Sequence, residues 1–363
     1  MVLQVTPHGE ASSPVSLAER RLRRLLDVAR PARRPLIQLQ HNPDPDALAS
    51  GFALRWLLQR VFQRDAPVVF TGTVGRAENR AMMRYLRIQI VPAFRVDYRA
   101  HDFVVVVDTH PGSGTCRLPP GVRADLVLDH HPTDGRAATG APESDATLYD
   151  PGYGATSTLV GEILLANGLR VPQRVATALA YGIQTDTLDL ARHVSPADER
   201  VFAALYALAD KRLLGRIQRA RVPGEYFQAL ERGLRRAVTH DAVVSTHLGE
   251  VEHPDLVAEV ADLLFRLEGM SWGFVTGAHD GVLYASIRSV EGEDADAGEV
   301  ARAVAGAEGS GGGHETFSAA QVPMGDLSGD EAHARALARL LGAVGAEKAS
   351  PRHLTVPPDA PAD

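Results

Sequence analysis

The stretch Leu36-Ile37-Gln38-Leu39-Gln40-His41-Asn42-Pro43-Asp44-Pro45-Asp46 decides how the chain is read. Its first five residues form a short apolar-rich run bounded by turn formers, the pattern of a buried strand. Asn, Pro and Asp then make the turn, and Ala47-Leu48-Ala49-Ser50-Gly51 opens a helix predicted from about Asp46 to Val61. Taken alone, the acidic turn asks for no more than a helix cap at Asp46. Upstream, Ser16 and Glu19 make a capping box for a helix ending before Pro31. Downstream come a strand Pro67 to Phe70, a helix around Glu78 to Leu86, and strands Phe103 to Val107 and Leu126 to Leu128. Strands alternating with helices imply βαβ units and a mainly parallel sheet, which gathers ligands beyond the carboxyl ends of its strands.

From Ala155 to about Arg236 the pattern is helical, with Ser195, Pro196 and Asp198 marking one helix start. After Ala237 it changes to strands (242–246, 273–276, 283–287) and helices (254–267, 298–304, 331–344), with a glycine loop before the last helix. The predicted architecture is α/β: a mainly parallel-sheet catalytic domain over 16–210, a helical connection over 211–236, and a smaller α/β substrate-binding domain over 237–345. Residues 1–15 and 349–363, rich in Pro, Ser and Gly without periodicity, are expected to be disordered.

A length of 363 residues favours two domains over one. With 45% hydrophobic and 23% charged residues, the composition excludes collagen-like, coiled-coil and wholly disordered chains. The longest apolar run, Phe103 to Val107, is too short to span a bilayer, so a cytoplasmic protein without membrane contact is expected. Cys116 is the single cysteine, which excludes an intrachain disulfide and leaves His, Asp and Glu to hold any metal. A formal net charge of -7 argues against a protein that coats long duplex nucleic acid, while a small anion in a local pocket stays possible. The acidic run Glu291 to Glu299 reads as a solvated loop.

Chemistry enters where the strands end. The third strand runs into Asp108-Thr109-His110, the fourth into Asp129-His130-His131, and the helix Val175 to Ile183 into Gln184-Thr185-Asp186-Thr187. The sheet would collect these acids at one edge, where they repel one another unless a cation intervenes. A pair of divalent ions resolves that conflict, and oxygen-rich sites with one or two imidazoles suit manganese or magnesium better than a structural zinc. Two such ions stabilise charge at a phosphoryl centre, which points to phosphodiester or phosphomonoester hydrolysis.

In their order along the chain, Asn42-Pro43-Asp44-Pro45-Asp46-Ala47, Val107-Asp108-Thr109, Asp129-His130-His131 and Gly182 to Thr187 resemble the four motifs of the DHH phosphoesterases. Ser286-Ile287-Arg288-Ser289 and Gly311-Gly312-Gly313-His314 resemble their DHH-associated domain, and the likeness spans about residues 36 to 325. It implies that Asp44 holds one manganese, that Asp46, His130 and Asp186 hold the other, and that Asp108 bridges them. It further implies that His131 contacts the scissile phosphate or protonates the leaving oxygen, and that Asp129 orients a histidine. Gly311, Gly312, Gly313, His314 and Arg288 are then expected to grip a nucleotide. The sequence departs from the family at Gln40, where members usually have the first metal-binding histidine. His41, one residue later, is taken as that ligand, with Gln40 the alternative occupant. Leu188-Asp189, where the family generally has Gly, is a second departure.

The expected activity is a manganese-dependent oligoribonuclease that converts very short RNA to mononucleotides and also acts on nucleoside bisphosphates. A phosphodiesterase of cyclic or linear dinucleotides is the alternative enzyme, and a catalytically weak nucleotide-binding regulator the alternative of another class. The expected partners are short RNA or other small nucleotides, with a homodimer possible.

Overall fold

The computed structural model describes residues 16–111, 113–131, 146–290, 292–293, 295–313 and 316–355. Contacts divide the chain into two compact units, Met1–Ala220 and Arg221–Asp363. The first contains α1 (Leu17–Ala29), β1 (Pro35–His41), α2 (Pro45–Phe62), β2 (Val68–Thr71), α3 (Ala77–Leu86) and β3 (Val91–Pro92). It continues with β4 (Phe103–Val107), β5 (Leu126–Asp129), β6 (Ala146–Tyr149), α4 (Thr156–Ala166), α5 (Gln173–Asp186), α6 (Pro196–Leu208) and α7 (Lys211–Gln218).

Its strands form one parallel sheet in the order β3-β2-β1-β4-β5-β6. From β1 the chain winds outward through β2 and β3, then returns to the other side of β1 with β4. The order therefore reverses between β1 and β4, and their carboxyl ends flank the crevice where such sheets bind ligands. Leu36, Ile37 and Leu39 of β1 and Val105, Val106 and Val107 of β4 are fully buried, as the unbroken apolar runs of central parallel strands require. Helix α2 packs on α4 and α5. Gly182 permits this closeness, because a Cβ there would collide with Ser157 Oγ and crowd Asp46.

The capping boxes of Ser16 with Glu19 and of Ser195 with Asp198 are both formed. The cap of α2 is Asp44, whose Oδ1 accepts from Ala47 N at 2.9 Å, with Pro45 opening the helix. Asp46 is thus freed from the capping role that the sequence allowed it. The stretch 211–236 is divided between the units. Helix α7 lays Leu214 and Ile217 into the first core, and α8 (Gly224–Arg236) packs on the first long strand of the second unit.

That unit continues with β7 (Val238–His240), β8 (Val243–Glu250), α9 (Asp255–Leu264), β9 (Trp272–His279) and β10 (Val282–Ser289). It ends with α10 (Ala297–Ala305), β11 (Ser310–Gly313), β12 (Phe317–Pro323), α11 (Gly329–Ala343) and β13 (Arg352–His353). The seven strands lie in the order β11-β12-β10-β9-β8-β7-β13. All pairs are antiparallel except β8 with β9, which α9 joins as a crossover.

Two expectations are corrected here. The glycine run is an edge strand, β11, paired with β12 instead of a loop. The carboxyl-terminal tail is ordered through Thr355, because β13 pairs with β7 and Leu354 N donates to Ala237 O at 2.9 Å. Residues 1–15 and 356–363, also expected to be disordered, lie outside the described residues. Among the described residues no helix is long and apolar enough to cross a membrane.

Candidate metal centre

At the carboxyl end of β4, Asp108 adopts a φ of 61°, a left-handed conformation that Asp tolerates better than most residues. Its N–H donates to Leu128 O at 2.8 Å, anchoring the turn to β5. The carboxylate is fully buried, accepting from Thr156 Oγ1 at 2.8 Å on Oδ1 and from Gln40 Nε2 at 3.0 Å on Oδ2. Asp46, in the first turn of α2, is equally buried, and its two oxygens accept from Thr156 N and Ser157 N at 2.7 Å each. The N-cap of α4, Ala155, has no capping side chain, so an acid from another helix satisfies those end amides.

His130 follows β5. Its Nδ1 stands 3.0 Å from Tyr153 O, and since a carbonyl only accepts, the ring proton belongs on Nδ1. In the neutral ring Nε2 then presents a lone pair. That atom is buried and completes no hydrogen bond. It points among carboxylate oxygens: Asp186 Oδ2 at 3.1 Å, Asp108 Oδ1 at 3.7 Å and Asp46 Oδ2 at 4.0 Å. Acceptors facing acceptors repel, and either a second ring proton or a metal cation removes the conflict. With a proton, burial works against the charged ring, but Asp186 and then Asp46 outweigh it and push its pKa up to about 9. With a cation, Asp46, His130 and Asp186 offer ligand atoms within 4.8 Å of one another, as do Asp108, His130 and His131. These residues fit a divalent ion.

The carboxylates report the same strain. Burial first, then the charges of Asp46, Asp44 and Asp186, raises Asp108 well above the usual carboxylate range. Burial and Asp186 raise Asp46 as well. For Asp44, burial followed by Asp186 and Asp46 brings the pKa to about 7. Asp129 behaves oppositely. Burial would raise it, but hydrogen bonds from His110 and His131 prevail and hold it below its ordinary value. Its Oδ2 lies 3.1 Å from His110 Nδ1, and its Oδ1 lies 2.8 Å from His131 Nδ1 and accepts from His130 N at 2.9 Å. A carboxylate only accepts, so His131 donates through Nδ1 and keeps Nε2 for another partner. The His131 side chain is 30% exposed, against 13% for His130, so it is the more accessible imidazole.

His41 is not brought into this group. Its Nδ1 lies 3.0 Å from Thr71 Oγ1 on the neighbouring strand, while Gln40 Nε2 reaches Asp44 Oδ2 at 2.9 Å and Asp108 Oδ2 at 3.0 Å. Adjacent residues of a strand point to opposite faces, so the one-step shift sends His41 away and places Gln40 where a ligand was expected. Sequence reasoning also passed over His110 and Thr156 as partners of the acids. The hydroxyl and helix-start signal of Thr156 was visible, but its pairing with Asp108 spans 48 residues and has no local signature.

In the second unit, Arg288 pairs in register with Phe317, close to the glycine strand. Its side chain is largely committed within the unit, donating through Nε to Asp262 at 2.7 Å and through Nη1 to Ser286 Oγ at 2.7 Å, and lying over the Phe317 ring. Gly311 and Gly313 owe their lack of a side chain to packing: a Cβ would strike the Ala301 carbonyl in one case and the Phe317 carbonyl and Ser318 in the other. Only Gly312 of the three faces open space. His314 lies outside the described residues.

Residues 240–345 match the DHHA1 domain. Over 298 residues, 80% of this chain, the sequence is 31% identical to an uncharacterized protein of Methanocaldococcus jannaschii. Over 178 residues, 47% of the chain, it is 29% identical to a probable manganese-dependent inorganic pyrophosphatase of Streptococcus pyogenes. It spans 58% and 54% of the lengths of these two relatives. Among solved structures, an exopolyphosphatase-related protein from Bacteroides fragilis superposes with a TM-score of 0.66 at 14% identity, over 89% of this chain and 96% of that one. RecJ from Thermus thermophilus in complex with Mn2+ gives 0.52 at 15% identity, over 92% of this chain and 56% of that one. At such identities these two likenesses concern the fold.

Proposed function

We propose that this chain, which belongs to the DHH phosphoesterase family and carries its DHHA1 domain, is a manganese-dependent hydrolase of short oligoribonucleotides that releases mononucleotides. Nucleoside 3',5'-bisphosphates are substrates of the same chemistry. The observation that carries the reading is the buried Nε2 of His130, without a hydrogen bond among three carboxylates.

Asp46, Asp108, His130 and Asp186 would hold one ion, and Asp44 with Asp108 a second. When bound, such ions supply charge neutralisation at the phosphoryl oxygens and a more acidic water. The chain's own residues do the rest. Asp129 fixes the His131 ring through Nδ1, and although burial opposes the charged ring, Asp129 raises its pKa. The ring can then deliver a proton from Nε2 to the leaving oxygen near neutral pH. Thr156 and Gln40 hold the Asp108 carboxylate in place. Manganese is favoured by a donor set rich in oxygen with no thiolate, and by the metal named for the pyrophosphatase relative and for the RecJ complex. A net charge of -7 offers little attraction to long polyanions, which supports short substrates.

The test is a product time course in manganese with RNA of two, five and twenty nucleotides, cyclic dinucleotides and nucleoside bisphosphates. The expected result is mononucleotides from the dinucleotide, with kcat/KM falling at least about tenfold by the longest substrate. Preference for cyclic dinucleotides would replace the substrate class. Tight nucleotide binding with no turnover of any of them would make the protein a regulatory binder.

A further inference from the structure

Gln40 leaves the two halves of the acidic cluster in different states. The residue is 8% exposed, and its Nε2 donates to Asp44 Oδ2 at 2.9 Å and to Asp108 Oδ2 at 3.0 Å. The other oxygen of Asp44 caps α2 through Ala47 N, and the other oxygen of Asp108 accepts from Thr156 Oγ1. Every carboxylate oxygen in this half therefore already has a donor. In the other half the Asp46 oxygens are likewise held, by Thr156 N and Ser157 N, but His130 Nε2 has no hydrogen bond and three carboxylate oxygens within 4.0 Å. An N–H group cannot ligate a cation, but an amide carries both a donor and an acceptor end, and half a turn about its terminal bond exchanges them.

We infer that the centre loads its ions in order and that Gln40 sets the order. The first ion enters among Asp46, Asp108, His130 and Asp186. The second enters between Asp44 and Asp108 only when the Gln40 amide gives up both charge-assisted hydrogen bonds and turns Oε1 inward. Losing two such bonds leaves the second step at least about a hundredfold weaker than the first. A phosphate anion, with oxygens of its own for the incoming ion, narrows the gap. The inference rests on the proposed reading that the centre holds divalent ions, and adds a positioning role for Gln40.

The experiment is calorimetric titration of the metal-stripped full chain with Mn2+, with and without inorganic phosphate. The wild type is expected to give two resolved steps, the weaker one tightened by phosphate. Gln40→Glu and Gln40→His each replace the donor pair with a ligand atom. In whichever of them retains the first step, that step should stay within about threefold while the second tightens by at least about tenfold. Two steps of equal affinity in the wild type would overturn the proposal whatever the variants do. A second step unchanged in a variant that keeps the first would overturn it too. Absence of any Mn2+ binding would instead remove the metal reading beneath it.

Discussion

Asp108 occupies a left-handed backbone position, is fully buried, and contacts residues from β1 and α4. Asparagine tolerates the same backbone and fills nearly the same volume, so Asp108→Asn removes the charge and little else. Turnover should fall by roughly 10²–10³ or more, while the melting temperature of the metal-free protein holds or rises, because a buried charge has been neutralised. Near-normal turnover at saturating manganese would remove Asp108 from the centre. A second residue-scale effect concerns Leu188, Asp189 and Leu190, with φ values of 47°, 59° and 63° just after α5. Leu188 is 45% exposed, so its side chain adds little to the core. Leu188→Gly should relieve enough backbone strain to stabilise the protein by about 0.5–1 kcal/mol, read from the denaturant midpoint. A midpoint unchanged or lowered would show that the turn is unstrained. The sequence marked this place only as one where glycine was expected; the run of three positive φ angles is a product of the fold.

At the scale of elements, the central strands followed by acids were legible, even the four-residue β5, because central parallel strands are nearly pure apolar runs and their ends carry the polar residues. Short edge strands were not. β6, β11 and β13 span four, four and two residues without an unbroken apolar run, and β11 is mostly glycine. Gln40 is a different case: it lies in the seven-residue central strand β1 and was named as the alternative occupant, and strand alternation applied strictly would have chosen it over His41. The partners that Thr156 and His110 find on other elements depend on tertiary contact, which no local pattern records. Strand β11 gives a direct check on whether its glycines serve packing. Gly311→Ala drives a methyl group into the Ala301 carbonyl and should destabilise by roughly 1–3 kcal/mol, whereas Gly312→Ala meets open space and should stay within about 0.5 kcal/mol. Equal effects would show that β11 does not pack on α10 as described.

For the whole molecule, protons and metal compete for the same groups. His130, raised to about 9, and Asp44, raised to about 7, each bind protons more tightly folded than unfolded. Their contributions are therefore full below the unfolded values near 6.5 and 3.8, and are lost as pH rises through about 9 and about 7. Metal-free protein should lose stability from about pH 4 to about pH 9, and the rise in melting temperature produced by manganese should grow over the same range. A manganese increment independent of pH would mean that the ion binds elsewhere. The most direct measurement is an anomalous difference map at the manganese edge from crystals grown with Mn2+. The account predicts a peak roughly 2.0–2.3 Å from His130 Nε2 and from oxygens of Asp46, Asp108 and Asp186. A map without density there, with the His130 ring hydrogen-bonded to Asp186 instead, would contradict it.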